Sequence, residues 1–185
     1  LLGGTLRAAV NKRSYQPYPL RLVWLVFLAI TAQWLAFSFP LTRSSIPELG
    51  IRLILVLSQL ALLIFVAANI RTPGFLVLGT GLLLNLLVIS LNGGWMPISP
   101  ETVEWLVPGS ADSWQVGERL GYSKDIVLLI EDTTLWFLSD FIHTPAGWSY
   151  KVAFSIGDIL IALGAFWLLW SIGGRERVST LQENQ

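Results

Sequence analysis

Three aspartates sit at apolar boundaries where a carboxylate could do chemistry: Asp132 and Asp140 in "EDTTLWFLSDFI", and Asp158 in "FSIGDILIALG". Hard divalent cations take carboxylate oxygens, so together they would suit a metal-dependent membrane enzyme acting on a lipid phosphate. No DxxxD-type pair within a helix supports that chemistry, and the stretch holding Asp132 and Asp140 has no basic cluster to grip a phosphate. Asp158 has a second reading. It follows Ser155 and Gly157 at the start of an apolar run, where a carboxylate would cap the first helical turn and meet the positive end of the helix dipole. His143 is the single histidine, which excludes any site needing two imidazoles. Alone, in "FIHTP", it is a candidate ligand for a pigment magnesium, against the plainer reading of an exposed loop residue. Cysteine is absent, so disulfides, thiolate zinc sites and iron–sulfur clusters are excluded. No dinucleotide-binding or P-loop glycine pattern is present.

A second candidate is "LNGGWMP", with Asn92, Gly93, Gly94, Met96 and Pro97. One glycine suffices to end a helix, and here there are two. Glycines allow positive φ and close backbone approach, and Pro97 blocks helix continuation. The plain reading is a tight break at a helix end. The sharper one is a binding site built from Asn92, the glycine backbone, Asp158 and acids of the segment that follows.

The elements that must position these residues are apolar. The chain is 54% hydrophobic and only 13% charged, against roughly 25% charged in soluble domains. Its formal net charge is zero, which leaves nucleic-acid binding without electrostatic support. Four stretches approach the ~20 apolar residues that cross a bilayer: 20–39, 51–70, 74–91 and 155–172. Several of the tryptophans fall near the ends of these runs, where indoles favour the membrane interface. The expected fold is therefore an all-α membrane protein with four transmembrane helices. Because "LLGGTL" reads as the tail of an apolar helix, a fifth is expected before Leu1.

Flanking charge sets the expected orientation. Arg7, Lys12 and Arg13 precede the first span and Arg21 lies at its very start, Arg71 lies between the second and third, and Arg175 and Arg177 follow the last. Segments 1–19 and 173–185 are thus expected to be cytoplasmic, in a bacterial inner membrane. Arg43 and Arg52, beside the first outer turn, run against the rule. Residues 92–154 form a long, acidic external segment, longer than an ordinary connection. Within it, Ser99-Pro100-Glu101 marks a helix start. The run Ile126 to Ile130 is too short to span, and suits an amphipathic or re-entrant helix, or a soluble cap packed on the helix ends. Asn85 and Gln59, inside the spans, are expected to bond across helices, and Gly79 to Gly81 to permit close helix approach.

"LLGGTL", "NGGWMP", "EDTTLWFLSDFI" and "FSIGDILIALG" together resemble a family of small bacterial integral membrane proteins known as a domain of unknown function. The resemblance runs from Leu1 to about Gly174 and marks Asn92, Gly93, Gly94, Met96, Pro97, Asp132, Thr133, Leu135, Asp140, Ser155, Gly157 and Asp158. It implies a helix ahead of Leu1 and carries no activity with it. The resulting expectation is a non-catalytic accessory or assembly subunit of a larger respiratory or photosynthetic membrane complex. Its partners would be membrane lipids and other membrane subunits. The alternatives are a protein that binds or transports a lipid or quinone, and the metal-dependent enzyme above. A bound lipid, quinone or pigment is the corresponding cofactor expectation.

Overall fold

The computed structural model describes residues 18–145 and 147–172. The chain is mostly helical. In order it forms α1 (Trp24–Phe37), the one-turn α2 (Pro40–Arg43), α3 (Glu48–Ala68), α4 (Phe75–Leu91), strand β1 (Met96–Ile98), α5 (Pro100–Leu106), strands β2 (Asp125–Val127), β3 (Ile142–His143) and β4 (Ala153–Phe154), and α6 (Ile156–Ile172). Among the described residues, α3 is the helix long and apolar enough to cross a membrane, with 21 residues and a hydropathy of 2.5. The other three apolar helices, α1, α4 and α6, are shorter, at 14, 17 and 17 residues. The expected helix before Leu1, most of segment 1–19 and the tail 173–185 lie outside the described residues.

Local chemistry explains the helix ends. The first apolar run starts helical only at Trp24, because Leu22 takes a left-handed φ of 57° and the Arg21 N–H is drawn to the side chain of Asn69 at 2.8 Å. It stops before Pro40, which forces Phe39 into extended backbone and then begins α2. Asn69 closes α3 by donating to the carbonyls of Phe65 and Arg21, both at 2.8 Å. Ser99 caps α5 by accepting the Thr102 N–H at 3.2 Å, as the Ser-Pro-Glu signal requires.

Helices α4 and α6 pack antiparallel along small residues. Gly81 faces Gly157 and Gly74 faces Gly164; a Cβ on Gly81 would lie 2.8 Å from the Ile161 nitrogen, and one on Gly164 would lie 2.7 Å from the Gly74 oxygen. The backbones touch where side chains would otherwise hold them apart. Helix α1 is tied to α3 by Gln33, which donates to Ser58 at 2.6 Å. The expectation for Gln59 does not hold: its Oε1 is buried with no partner, and Gln33 makes the interhelical bond instead.

Residues 92–154 pack as a cap on one end of the bundle. The stretch expected to be an amphipathic or re-entrant helix around Ile126 to Ile130 is corrected here: it is extended over Asp125–Val127, then makes a single 3-10 turn over Ile130–Asp132. Pairing decides this. Strand β2 lies parallel to β1, with Met96 opposite Asp125 and Ile98 opposite Val127, and its other edge meets Arg119 antiparallel at Ile126. A helix there would forfeit both ladders and expose Val127, which is fully buried with Ile98 and Val103. Trp95 anchors the cap against Ala36 and Ile51, while Met96 and Leu138 pack on Leu55, Val88 and Ile89.

Candidate functional site

The "NGG" turn is a helix terminator in which each residue has a separate job. Asn92 donates to the Val88 carbonyl at 2.7 Å and the Thr134 carbonyl at 2.9 Å, and accepts the Thr134 N–H at 3.0 Å. It therefore closes α4 and fastens the cap to it. Gly93, at φ 73°, is the left-handed residue of a Schellman stop, completed by the Gly94 N–H on the Ile89 carbonyl at 2.9 Å. Gly94, at φ 87°, is needed for space as well: a Cβ there would come within 3.1 Å of the Arg52 side chain. Met96 and Pro97 are buried, and the Pro97 carbonyl accepts the Asp140 N–H at 3.1 Å.

Where α6 begins, Ser155, Asp158 and Asn85 close a ring of hydrogen bonds. Asp158 accepts the Ser155 N–H at 3.1 Å and donates its own N–H to the Ser155 hydroxyl oxygen at 3.0 Å, a reciprocal capping pair. Asn85 of α4 donates to the other Asp158 oxygen at 2.8 Å and accepts the Ser155 hydroxyl proton at 2.9 Å. Gly157 lies against the Asn85 carboxamide, where a Cβ would fall 2.6 Å from Cγ. Asp158 is thus both cap and interhelical clamp.

Asp140 is buried in the cap, at 3% exposure. One of its oxygens pairs with the Lys124 ammonium, which also reaches Asp125 at 3.2 Å; the other is buried without a partner. One ammonium thus serves more than one carboxylate. Burial pulls the Lys124 pKa down, but Asp125 and Asp140 outweigh it and the ammonium is held protonated. Burial is also the main cause that lifts the Asp140 carboxyl from 3.8 to about 7, with Asp125 and Asp158 adding to it against the pull of Lys124.

The remaining sequence candidates are not drawn into these clusters. Asp132 is exposed, and His143 is exposed with its ring stacked on Trp105 at 4.5 Å. Among the described residues no group of three or more His, Cys, Asp or Glu side chains is placed to hold a metal ion.

A cluster that sequence reading missed lies on the other side of the "NGG" turn. Although no basic cluster shows in the order of residues, three arginines converge there. Arg52 and Arg119 lie 5.5 and 4.9 Å from the ring centre of the buried Trp95, and Arg43 lies 4.5 Å from that of Tyr122. Arg119 is fixed by donating to the Ser123 and Tyr122 carbonyls, both at 2.7 Å. The Arg52 Nη2 meets Glu48 at 3.2 Å, and its Nε is buried with no partner. A cavity of about 440 Å³ opens beside them. The available signal was the pair of arginines breaking the charge rule, Arg43 at the end of α2 and Arg52 one turn into α3.

The model of the family described as "Family of unknown function (DUF5317)" matches residues 17–170. A protein of Thermotoga maritima described as "Uncharacterized protein" is 28% identical over 130 residues, 70% of this chain and 69% of its own length. No solved structure matches the chain.

Proposed function

The chain belongs to the DUF5317 family, and we propose that it is a non-catalytic, multi-pass membrane protein acting as an accessory or assembly subunit of a larger membrane complex. The observation that carries the non-catalytic reading is how the chemistry-bearing side chains are used. Asn85, Ser155 and Asp158 bond one another, Asn92 bonds Thr134, and Asp140 pairs with Lys124. Polar groups bonded to one another hold a fold together. The metal-dependent reading draws no support from this geometry, since Asp132 lies exposed while Asp140 faces a lysine.

The helix surfaces favour lipid as the surrounding solvent. A soluble core helix is mostly buried, whereas only 28% of the apolar window of α3 is buried. Phe27, Leu76 and Phe166 are 69%, 68% and 57% exposed on α1, α4 and α6. Apolar area left in water costs about 25 cal/mol per Å², and helices that are apolar all round belong in a core or a membrane. At 1.5 Å per residue, α4 and α6 would be about 25 Å long, near the lower limit for a span. On this reading the chain lies in the inner membrane with Arg71 inside and the acidic cap outside, as the flanking charges favour. Arg43 and Arg52 no longer argue against it, because both stack on aromatic rings of the cap. The accessory role draws on exposed aromatics of the cap, Trp136, Trp148 and Tyr150, the last 82% exposed.

Purification at native expression in mild detergent, with mass spectrometry of every co-purifying protein, tests the reading. Stoichiometric membrane subunits are expected. A chain that emerges alone under conditions that keep known complexes whole would sink the accessory role.

One observation favours a second reading, a lipid-binding protein. An apolar groove of about 360 Å³ runs between α3 and α4 toward the "NGG" turn, with Leu49, Leu53 and Val56 along one wall.

A further inference from the structure

We propose that the end of this groove beside the "NGG" turn is a site for one zwitterionic phospholipid. Its phosphate is held by Arg52 and Arg119, its ammonium faces Glu48 and Glu118, and an acyl chain lies along Leu49, Leu53 and Val56. The assignment rests on the lipid-binding reading and names its ligand.

Two cavities of opposite character share one side chain. The chamber of about 440 Å³ is lined by Arg52, Arg119, Glu48, Glu118, Trp95 and Tyr122. The apolar groove of about 360 Å³ is lined by Arg52 again, with Leu49, Leu53, Val56 and the turn at Gly93 and Gly94. Arg52 belongs to both, so a charged chamber and a hydrocarbon strip lie against the same side chain. That is the shape of an amphiphile, and either cavity alone has the volume of a small-molecule site, roughly 300–1,000 Å³. Leu49, Leu53 and Val56 recur at helical spacing and present one continuous face.

The charges define the head. A free anion would meet two guanidiniums and also two carboxylates, an unfavourable lining for a purely negative group. A phosphate joined to an ammonium satisfies both signs. Guanidinium forks suit phosphate oxygens, and Arg52 has donor capacity left: among the described residues its guanidinium donates only to Glu48, through Nη2. Arg119 is held in place through Nε and Nη2 by the Ser123 and Tyr122 carbonyls, so its guanidinium is positioned before any ligand arrives. Glu48, with a side chain 65% exposed, and the exposed Glu118 lie toward solvent, where an ammonium would project. Arg52 sits one turn into α3, about 6 Å along the axis, a depth at which arginines reach the headgroup layer of a bilayer. Gly94 keeps the Arg52 stem against the turn, since a Cβ there would press on it at 3.1 Å.

The test is native mass spectrometry of the full chain in nanodiscs of equal phosphatidylethanolamine, phosphatidylglycerol and diacylglycerol. Inorganic phosphate is titrated in a parallel arm. Phosphatidylethanolamine is expected to be retained about tenfold over diacylglycerol, and Arg52→Gln to remove that preference while Arg52→Lys restores part of it. Leu53→Trp fills the groove at a half-exposed position and leaves the chamber intact, so it should lose the lipid even if Arg52→Gln fails to fold. Equal retention of diacylglycerol would overturn the headgroup assignment and leave lipid binding standing. A preference for phosphatidylglycerol would overturn the zwitterion, and displacement by millimolar phosphate would make this a free-anion site. Retention of no lipid at all would overturn both the site and the reading it rests on.

Discussion

The Asn85 carboxamide on α4 donates to the Asp158 carboxylate on α6 across 2.8 Å, although 73 positions of chain separate them. The same Asp158 caps its own helix through Ser155. A cap and a clamp thus share one carboxylate, so the start of α6 cannot shift without releasing α4.

Removing the donor tests the clamp. Asn85→Leu leaves one Asp158 oxygen without a partner next to the helix pair, which costs about 1–3 kcal/mol. A double-mutant cycle of Asn85→Ala and Asp158→Ala, read by thermal melting in detergent, should give a coupling of about 1–2 kcal/mol. Additive effects would mean the two side chains act independently.

Close packing gives a second expectation. Gly157→Ala places a methyl group on the Asn85 carboxamide and should destabilise by about 1–3 kcal/mol or more through overpacking. Gly109→Ala, where a Cβ meets nothing within 4 Å but φ is 77°, is the control that carries backbone strain alone. A Gly157 variant no worse than this control would show that α4 and α6 do not approach as described.

The two glycines of the turn should respond differently. At Gly93 a Cβ meets open space, so Gly93→Ala carries only the penalty of φ 73°, about 1 kcal/mol. Gly94→Ala adds pressure on Arg52 and should also lower phospholipid retention. If both variants melt alike and bind alike, Gly94 has no role in placing the guanidinium.

Protonation of Asp140 makes stability depend on pH with a defined sign. Its pKa is raised from 3.8 to about 7 in the fold, so between those values the folded chain binds more protons than the unfolded one. This contribution is therefore fully present below about pH 4 and is lost as pH rises through about 7. The difference in melting temperature between the native chain and Asp140→Asn should change across that window and level off above it. A difference independent of pH would place a permanent charge on Asp140.

Much of the helical frame was legible in the order of residues, because helix signals are local. The spans 51–70, 74–91 and 155–172 fall within three residues of the ends of α3, α4 and α6. Pro100 after Ser99 marked α5, and Ser155 with Asp158 marked a cap, since each needs only neighbours within one turn. Asn85 was legible as an interhelical amide because a carboxamide in an apolar helix is stabilised by a partner across the bundle, although the same reasoning failed at Gln59. Its choice of Asp158 was not, as nothing local selects among partners.

The sequence by itself determined which stretches are apolar helices, where most of them stop, and that the charged residues gather between them. Tertiary structure alone decided that Asp125–Val127 becomes a strand, because an apolar run of that length is extended only when another strand lies beside it, and here Met96–Ile98 does. It alone brought Arg52 and Arg119 to one indole ring. Those residues belong to different elements, and their meeting depends on burying Trp95 between the cap and the bundle, a long-range packing event that no periodicity in the chain records.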